Sequence, residues 1–189
     1  MKKRFAALLL AAALCLLVGC TKAPALPEAD YPLELTFSSG AGAWRSTLNL
    51  NADGTFEGFY SDSNMGETGE GYPNGTVYTA SFTGSFLPPE QVDEHSYRLQ
   101  LDSLTLSRPA GEEWIKEGIL YVAAGAFGLE DGHDFVFYTP DTPVSELDED
   151  MLMWWPGSFI TNPPETLSCY ALWNVETDAV FFTYSDALT

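Results

Sequence analysis

The chain has 189 residues, with 8 Lys and Arg against 27 Asp and Glu and a formal net charge of −19 at pH 7. Such a field repels nucleic acid and anionic lipid headgroups, so neither is expected as a ligand. Hydrophobic residues make up 46 % and aromatics 14 %, which excludes an acidic disordered tail and leaves enough apolar mass for a single core.

At the N-terminus, Lys2, Lys3 and Arg4 precede an unbroken apolar run from Phe5 to Val18. Fourteen residues fall short of the roughly 20 that cross a bilayer as a helix. A positive start and a short apolar run read instead as an export signal that is later removed. The run ends in Leu17-Val18-Gly19-Cys20. This segment resembles the lipobox of bacterial lipoproteins, which implies cleavage before Cys20 and a diacylglycerol on its sulfur. Two acyl chains suffice for stable membrane attachment. The expected organisation is a signal peptide over 1–19, a lipidated Cys20 with a proline-rich tether to residue 32, and one domain over 33–189. The expected location is the cell membrane, lipid-anchored, on its extracytoplasmic face. Removal of 1–19 leaves five basic side chains against 27 acidic ones, a formal charge of −22. The tether "TKAPALPEADYP" holds three prolines and reads either as a semi-rigid spacer or as a disordered leader. Of the three cysteines, Cys15 leaves with the signal and Cys20 is lipidated. Cys169 then has no partner for an intramolecular disulfide. Its alternating apolar surroundings favour a buried inert thiol over a nucleophile.

The dominant hydrophobic period beyond the tether is two. Leu33, Leu35 and Phe37 alternate with polar positions, and Trp44, Ser46, Leu48 and Leu50 share one face of the next run. Asp53-Gly54 supplies a tight hairpin turn. "TFEGFY" follows, then the long stretch 61–78, then "VYTASFTGSF", which sets Tyr78, Ala80, Phe82, Gly84 and Phe86 opposite four hydroxyls. In "SYRLQLDSLTL" the apolar phase slips by one between Leu101 and Leu104, which predicts a bulge or break near Ser103. "GILYV" and "DFVFY" read as short strands. "VSELDEDMLMWW" reads as the one helix, with Ser145 as cap and Leu147, Met151 and Trp154 on its apolar face. "TLSCYALW" and "AVFFTY" make a closing hairpin. The expected fold is all-β, an antiparallel up-and-down barrel or a related β-sandwich with one short helix.

Gly42-Ala43-Trp44, the alternation after it and Asp53-Gly54-Thr55-Phe56 resemble the lipocalin pattern. The stretch from Gly42 to Phe86 is also similar to uncharacterised lipoproteins of Gram-positive bacteria. The resemblance implies a lipocalin-like barrel. It departs from lipocalins in having no Lys or Arg after Lys116 to cover the tryptophan, and no Thr-Asp-Tyr in mid-chain.

Motifs for nucleophilic serine chemistry, phosphate cradles, dinucleotides and zinc are missing from the sequence. His133-Asp134 offers a base beside a carboxylate, yet no nucleophile motif accompanies it. No catalytic residue and no cofactor is therefore expected. Three readings fit 61–78, "SDSNMGETGEGYPNGTVY": a cation loop, a lid, or a plain connection. Asp62 and Asn64 begin like a calcium loop, but Met65 and Gly66 break the pattern. Asp62, Asn64, Glu67 and Glu70 remain a weak irregular ligand set. Trp44, Phe56, Tyr60, Tyr78, Phe82 and Phe86 are the candidate ligand-binding residues, lining a pocket in a barrel and forming plain core in a sandwich. Trp154-Trp155 poses a related choice, a plug across one end or an exposed patch. The expected function is a lipid-anchored, non-enzymatic module binding an apolar, aromatic or glycan small molecule. The alternatives are an accessory lipoprotein that binds an envelope protein and, as an outsider, a carboxylate-dependent hydrolase.

Overall fold

The computed structural model describes residues 25–40 and 42–184; Cys20 and the signal segment lie outside them. Eight strands form a closed antiparallel barrel in chain order. They are β1 (Leu33–Ser38), β2 (Trp44–Leu50), β3 (Thr55–Asn64), β4 (Thr76–Phe86), β6 (Ser96–Leu106), β9 (Asp134–Tyr138), β10 (Ala171–Asn174) and β11 (Val180–Phe182). Thr36 pairs with Phe182 and joins the last strand to the first. That closure makes the fold an up-and-down barrel and sets the sandwich aside. Period-two sequence becomes inside and outside: Leu33, Leu35 and Leu48 are buried, while Glu34 and Glu57 face water.

Two short additions ride on this frame. β5 (Glu90–Gln91) lies against β6. β7 (Glu113–Lys116) and β8 (Ile119–Ala123) form a hairpin, with β8 parallel to the first part of β4. β4 thus gives Thr76–Thr79 to β8 and Phe82–Phe86 to β6 along one edge. Neither β5 nor β7 shows a run long enough to be read from sequence. The bulge falls where the phase slips: Phe86 pairs with Leu101 and Ser85 with Ser103, leaving Asp102 as the extra residue.

The turn between β2 and β3 is held by the groups that predict it. Asp53 accepts from the Thr55 backbone N–H at 3.0 Å and from its hydroxyl at 2.6 Å. Gly54 takes φ +84°, which a side chain would resist.

Between β9 and β10 the chain packs on the outside of the barrel. The expected helix is one turn, α1 (Glu149–Leu152). Ser145 is not its cap. It sits in a 3-10 turn that ends at an extended Leu147, and Asp148 caps α1 by accepting from the Asp150 N–H at 2.9 Å. The buried face is consequently Leu147, Met151 and Trp155, four residues apart, with Trp154 turned away. This layer covers the outer side of β10 and β11, and that explains their unbroken apolar sequence. Cys169 is buried within it, and desolvation pushes its thiol up to about 11.

Residues 25–32 close the base of the barrel, where β1 begins. Leu26 is buried, and Ala29 and Tyr31 pack on the core. The Tyr31 hydroxyl donates to the Pro27 carbonyl at 2.9 Å, and burial beside Tyr170 and Tyr97 pushes it up to about 12. The last part of the proline-rich segment is therefore seated on the domain.

Candidate functional site

The six candidate ligand-binding residues all lie on the inner face, but they divide between the two ends. Phe56, Phe82 and Phe86 are buried in the lower half. Phe86 packs on Phe56 at 5.1 Å and edge-on to Phe135 at 5.2 Å between ring centroids. Their space is shaped by two glycines. A β-carbon at Gly58 would strike the Phe82 ring, and one at Gly84 would strike the Phe56 ring and the Ser103 carbonyl. Rings laid over glycines fill this half as core.

Trp44, Tyr60 and Tyr78 gather at the other end, the mouth. Trp44 opens β2, Asp62 pairs with it across β3, and Tyr78 pairs with Asp62 from β4. The mouth is covered by a segment that periodicity does not reveal, "AGAFGLEDG" at 124–132. Ala124 donates to the Thr79 carbonyl at 2.9 Å, and a tight turn follows in which Leu129 and Glu130 both donate to the Ala126 carbonyl. Buried Asn174 of β10 holds the turn by donating to the Gly128 carbonyl at 3.0 Å. Gly128 has φ +91°, and a β-carbon there would crowd Phe37 and Phe181. Ala126 and Leu129 are buried in the core, whereas Phe127 is only half-buried.

Phe127 is the plug. Its ring centroid lies 5.0 Å from Trp44, 5.2 Å from Tyr60 and 5.7 Å from Phe37. Trp154 adds an edge contact to Phe37 at 4.8 Å from outside the rim. The tryptophan pair thus splits: Trp155 is buried under the outer layer, and Trp154 touches the mouth while 39 % exposed. The rings of Phe37, Phe127 and Trp154 pack on Trp44, and no Lys or Arg follows Lys116 in the sequence to cover it.

Ser46 lies one step below Trp44 on the inner face, paired with Phe37 on one side and Tyr60 on the other. It is fully buried and its hydroxyl has no hydrogen-bond partner. Such a group carries a desolvation cost unless something completes it. The other two unpartnered buried polar atoms among the described residues are the indole nitrogens of Trp155 and Trp173 in the outer layer.

Acids surround the mouth. Glu67 accepts from the Tyr78 hydroxyl at 3.0 Å and from Asn64 at 3.3 Å. That hydrogen bond, with the nearby Asp62 charge, raises the Tyr78 pKa. Burial and then the charges of Asp62 and Glu130 do the same to Tyr60. Glu130 packs over Gly125, and burial, with Asp131 beside it, raises its own pKa. The ion pairs are Arg98–Glu90, Arg108–Glu112 and His133–Asp134, so among the described residues no basic side chain pairs with Asp62, Glu67 or Glu130.

The stretch 61–78 is more ordered than its composition suggests. β3 runs to Asn64 and β4 starts at Thr76, so Asp62 and Asn64 belong to a strand. The remaining loop is pinned by the Thr76 hydroxyl donating to the Glu67 carbonyl at 2.9 Å. Glu70 points into solvent. Among the described residues, no three His, Cys, Asp or Glu side chains converge as metal ligands. The loop forms part of the rim through Glu67 and Tyr78.

Grooves on the outer surface include two near Phe59. One of about 400 Å³ runs past Phe59 over the hydroxyls of β2 to β4, and one of about 270 Å³ lies under the β7–β8 hairpin. Trp114 in the second is already stacked by Tyr121 at 5.3 Å and covered by Arg108 at 4.6 Å, which leaves little free ring for a sugar. His133 is exposed with Asp134 at 3.6 Å, and Cys169 is buried in another layer. Sequence reasoning missed Ser46, Phe127 and Glu130. The only signal for the plug is a phenylalanine between close glycines in an acidic loop.

No family model matches the chain, and no curated protein or solved structure gives a match.

Proposed function

We propose that this protein is a lipid-anchored, non-enzymatic module that binds a small molecule at the barrel mouth. The observation that carries the reading is the arrangement around Phe127. Trp44 and Tyr60 meet over one half-buried ring, and below it an interior hydroxyl has no partner. A binding site needs concave apolar walls and a few placed polar groups. Trp44, Tyr60 and Phe37 would supply the apolar walls and Ser46 the polar group for a ligand that displaces the Phe127 ring, and the Asn174 bond to the Gly128 carbonyl does not involve that side chain. The anchor at Cys20 would hold this module at the membrane surface, with the base toward the tether.

Mass spectrometry of protein purified under native conditions tests the reading. A co-purifying small molecule lost on Trp44→Ala supports it; a small molecule retained by that variant, or a mouth that binds nothing offered to it, defeats it. Replacement of Cys20 by alanine is expected to move the protein from the membrane to the soluble fraction.

A second reading is a protein partner. It is favoured by the exposure of Met153, Phe159 and Ile160 beside Trp154, with Phe159 79 % exposed. Cross-linking from this segment that persists after Trp44→Ala separates it from the first.

A further inference from the structure

The geometry points to an organic ammonium ion as the ligand of the mouth, its charged head taking the place that the Phe127 ring holds. This rests on the mouth reading given above and adds the chemical class.

The first ground is distance. The centre of the Phe127 ring is 5.0 Å from the Trp44 ring, 5.2 Å from Tyr60 and 5.7 Å from Phe37. A cation over the face of an aromatic ring and within about 6 Å of its centroid is attracted by the ring quadrupole, and a desolvated one more strongly. One position thus lies within that distance of three rings at once, which a small shift of the ligand head or of the rings can turn into contact with their faces.

The second ground is charge. Asp62 follows Tyr60 in the same inner row, and Glu130 is close enough to act on the Tyr60 hydroxyl. Neither has a basic partner among the described residues. Among the described residues the acids do not converge as metal ligands do, so they suit a bulky, diffuse cation better than a small hard one. Partial burial of Glu130 beside Asp131 raises its pKa, a destabilisation that an incoming positive charge relieves.

The third ground is Ser46. Its unpartnered, fully buried hydroxyl lies between Phe37 and Tyr60. It offers a bonding site to a polar group of the ligand, such as an ammonium N–H or a neighbouring hydroxyl. The overall acidity of the chain raises the local concentration of such ions.

The test is titration of the full chain with choline and with 3,3-dimethylbutan-1-ol, its uncharged carbon analogue, read by tryptophan fluorescence and calorimetry. Choline is expected to bind at least about tenfold more tightly, the difference the cation–π attraction supplies in a desolvated site. Phe127→Ala should tighten choline by removing the competing ring. Asp62→Asn, at a half-exposed rim position, should weaken choline several-fold and leave the neutral analogue unchanged. Equal binding of the two compounds overturns the cation and keeps the mouth as an apolar site. Absence of binding by either compound, in both the native chain and Phe127→Ala folded by its melting curve, overturns the mouth reading as well.

Discussion

In the lower half of the barrel, Phe82 lies over Gly58 and Phe56 over Gly84, with Phe86 packed on Phe56; at the mouth, Trp44 and Tyr60 surround a ring supplied by a loop. Both groups come from inward rows of the adjacent strands β2 to β4. The difference lies in what fills the remaining space. Below, the missing β-carbons of two glycines let neighbouring strands interlock, so each ring is fixed by backbone. Above, the filling ring belongs to a turn, is half-buried, and leaves a hydroxyl beneath it without a partner. Interlocked packing fixes the lower rings, whereas the ring at the mouth is held only as firmly as the turn that carries it.

Truncation should expose that contrast most strongly. Phe82→Ala is expected to cost about 3–5 kcal/mol as a buried aromatic deletion. Phe127→Ala should cost clearly less, on the order of 1 kcal/mol, because that ring is only partly buried. Denaturant midpoints at unchanged slope measure both, and equal losses would make the mouth ordinary core.

Filling the glycines comes next in size. Gly84→Ala and Gly58→Ala should each lose about 1–3 kcal/mol through overpacking, since their β-carbons meet rings and carbonyls that cannot withdraw far. Gly66→Ala in the rim loop, where the nearest atom is the Asn64 side chain at 3.5 Å, should be near neutral. A large loss at Gly66 would show the rim to be as tightly determined as the lower half.

The smallest effect is in the acids, where the two ends should differ in sign. Asp93, near the base, accepts from the Ser96 hydroxyl at 2.6 Å and from the backbone N–H groups of His95 and Ser96 at 2.8 Å. These bonds, the Ser96 hydroxyl first, hold its pKa below the ordinary 3.8. Its contribution is therefore present above that value and is lost as pH falls through the lower folded pKa. Glu130 at the mouth is raised above 4.5 by burial and then by Asp131. The folded state binds its proton more tightly, so stability is highest below that value and falls as pH rises through the folded pKa. Asp93→Asn should lower the melting temperature at neutral pH, and Glu130→Gln should raise it. A drop with Glu130→Gln would mean that the mouth acids are structural.

How much of this is legible in the chain varies by element. Glycine after aspartate marks the β2–β3 turn because positive φ is a local demand. The phase slip after Leu101 marks the bulge because one extra residue inverts every later side chain. α1 is legible as a location only. Asp148 competes with Ser145 for the cap, and a burial spacing of four selects Trp155 instead of Trp154. The plug is scarcely legible, since a turn residue has no period and its burial depends on where the turn lands.

Alternation alone determined that Trp44, Phe56, Tyr60, Tyr78, Phe82 and Phe86 share the interior, because side chains on a strand have only two directions to point. Barrel closure through Thr36 and Phe182 decided which of them became core and which became rim. It set the height of each residue along the axis and brought in Phe127 from a distant loop. Height and cross-chain contact are properties of strand register and closure, which no local stretch of sequence encodes.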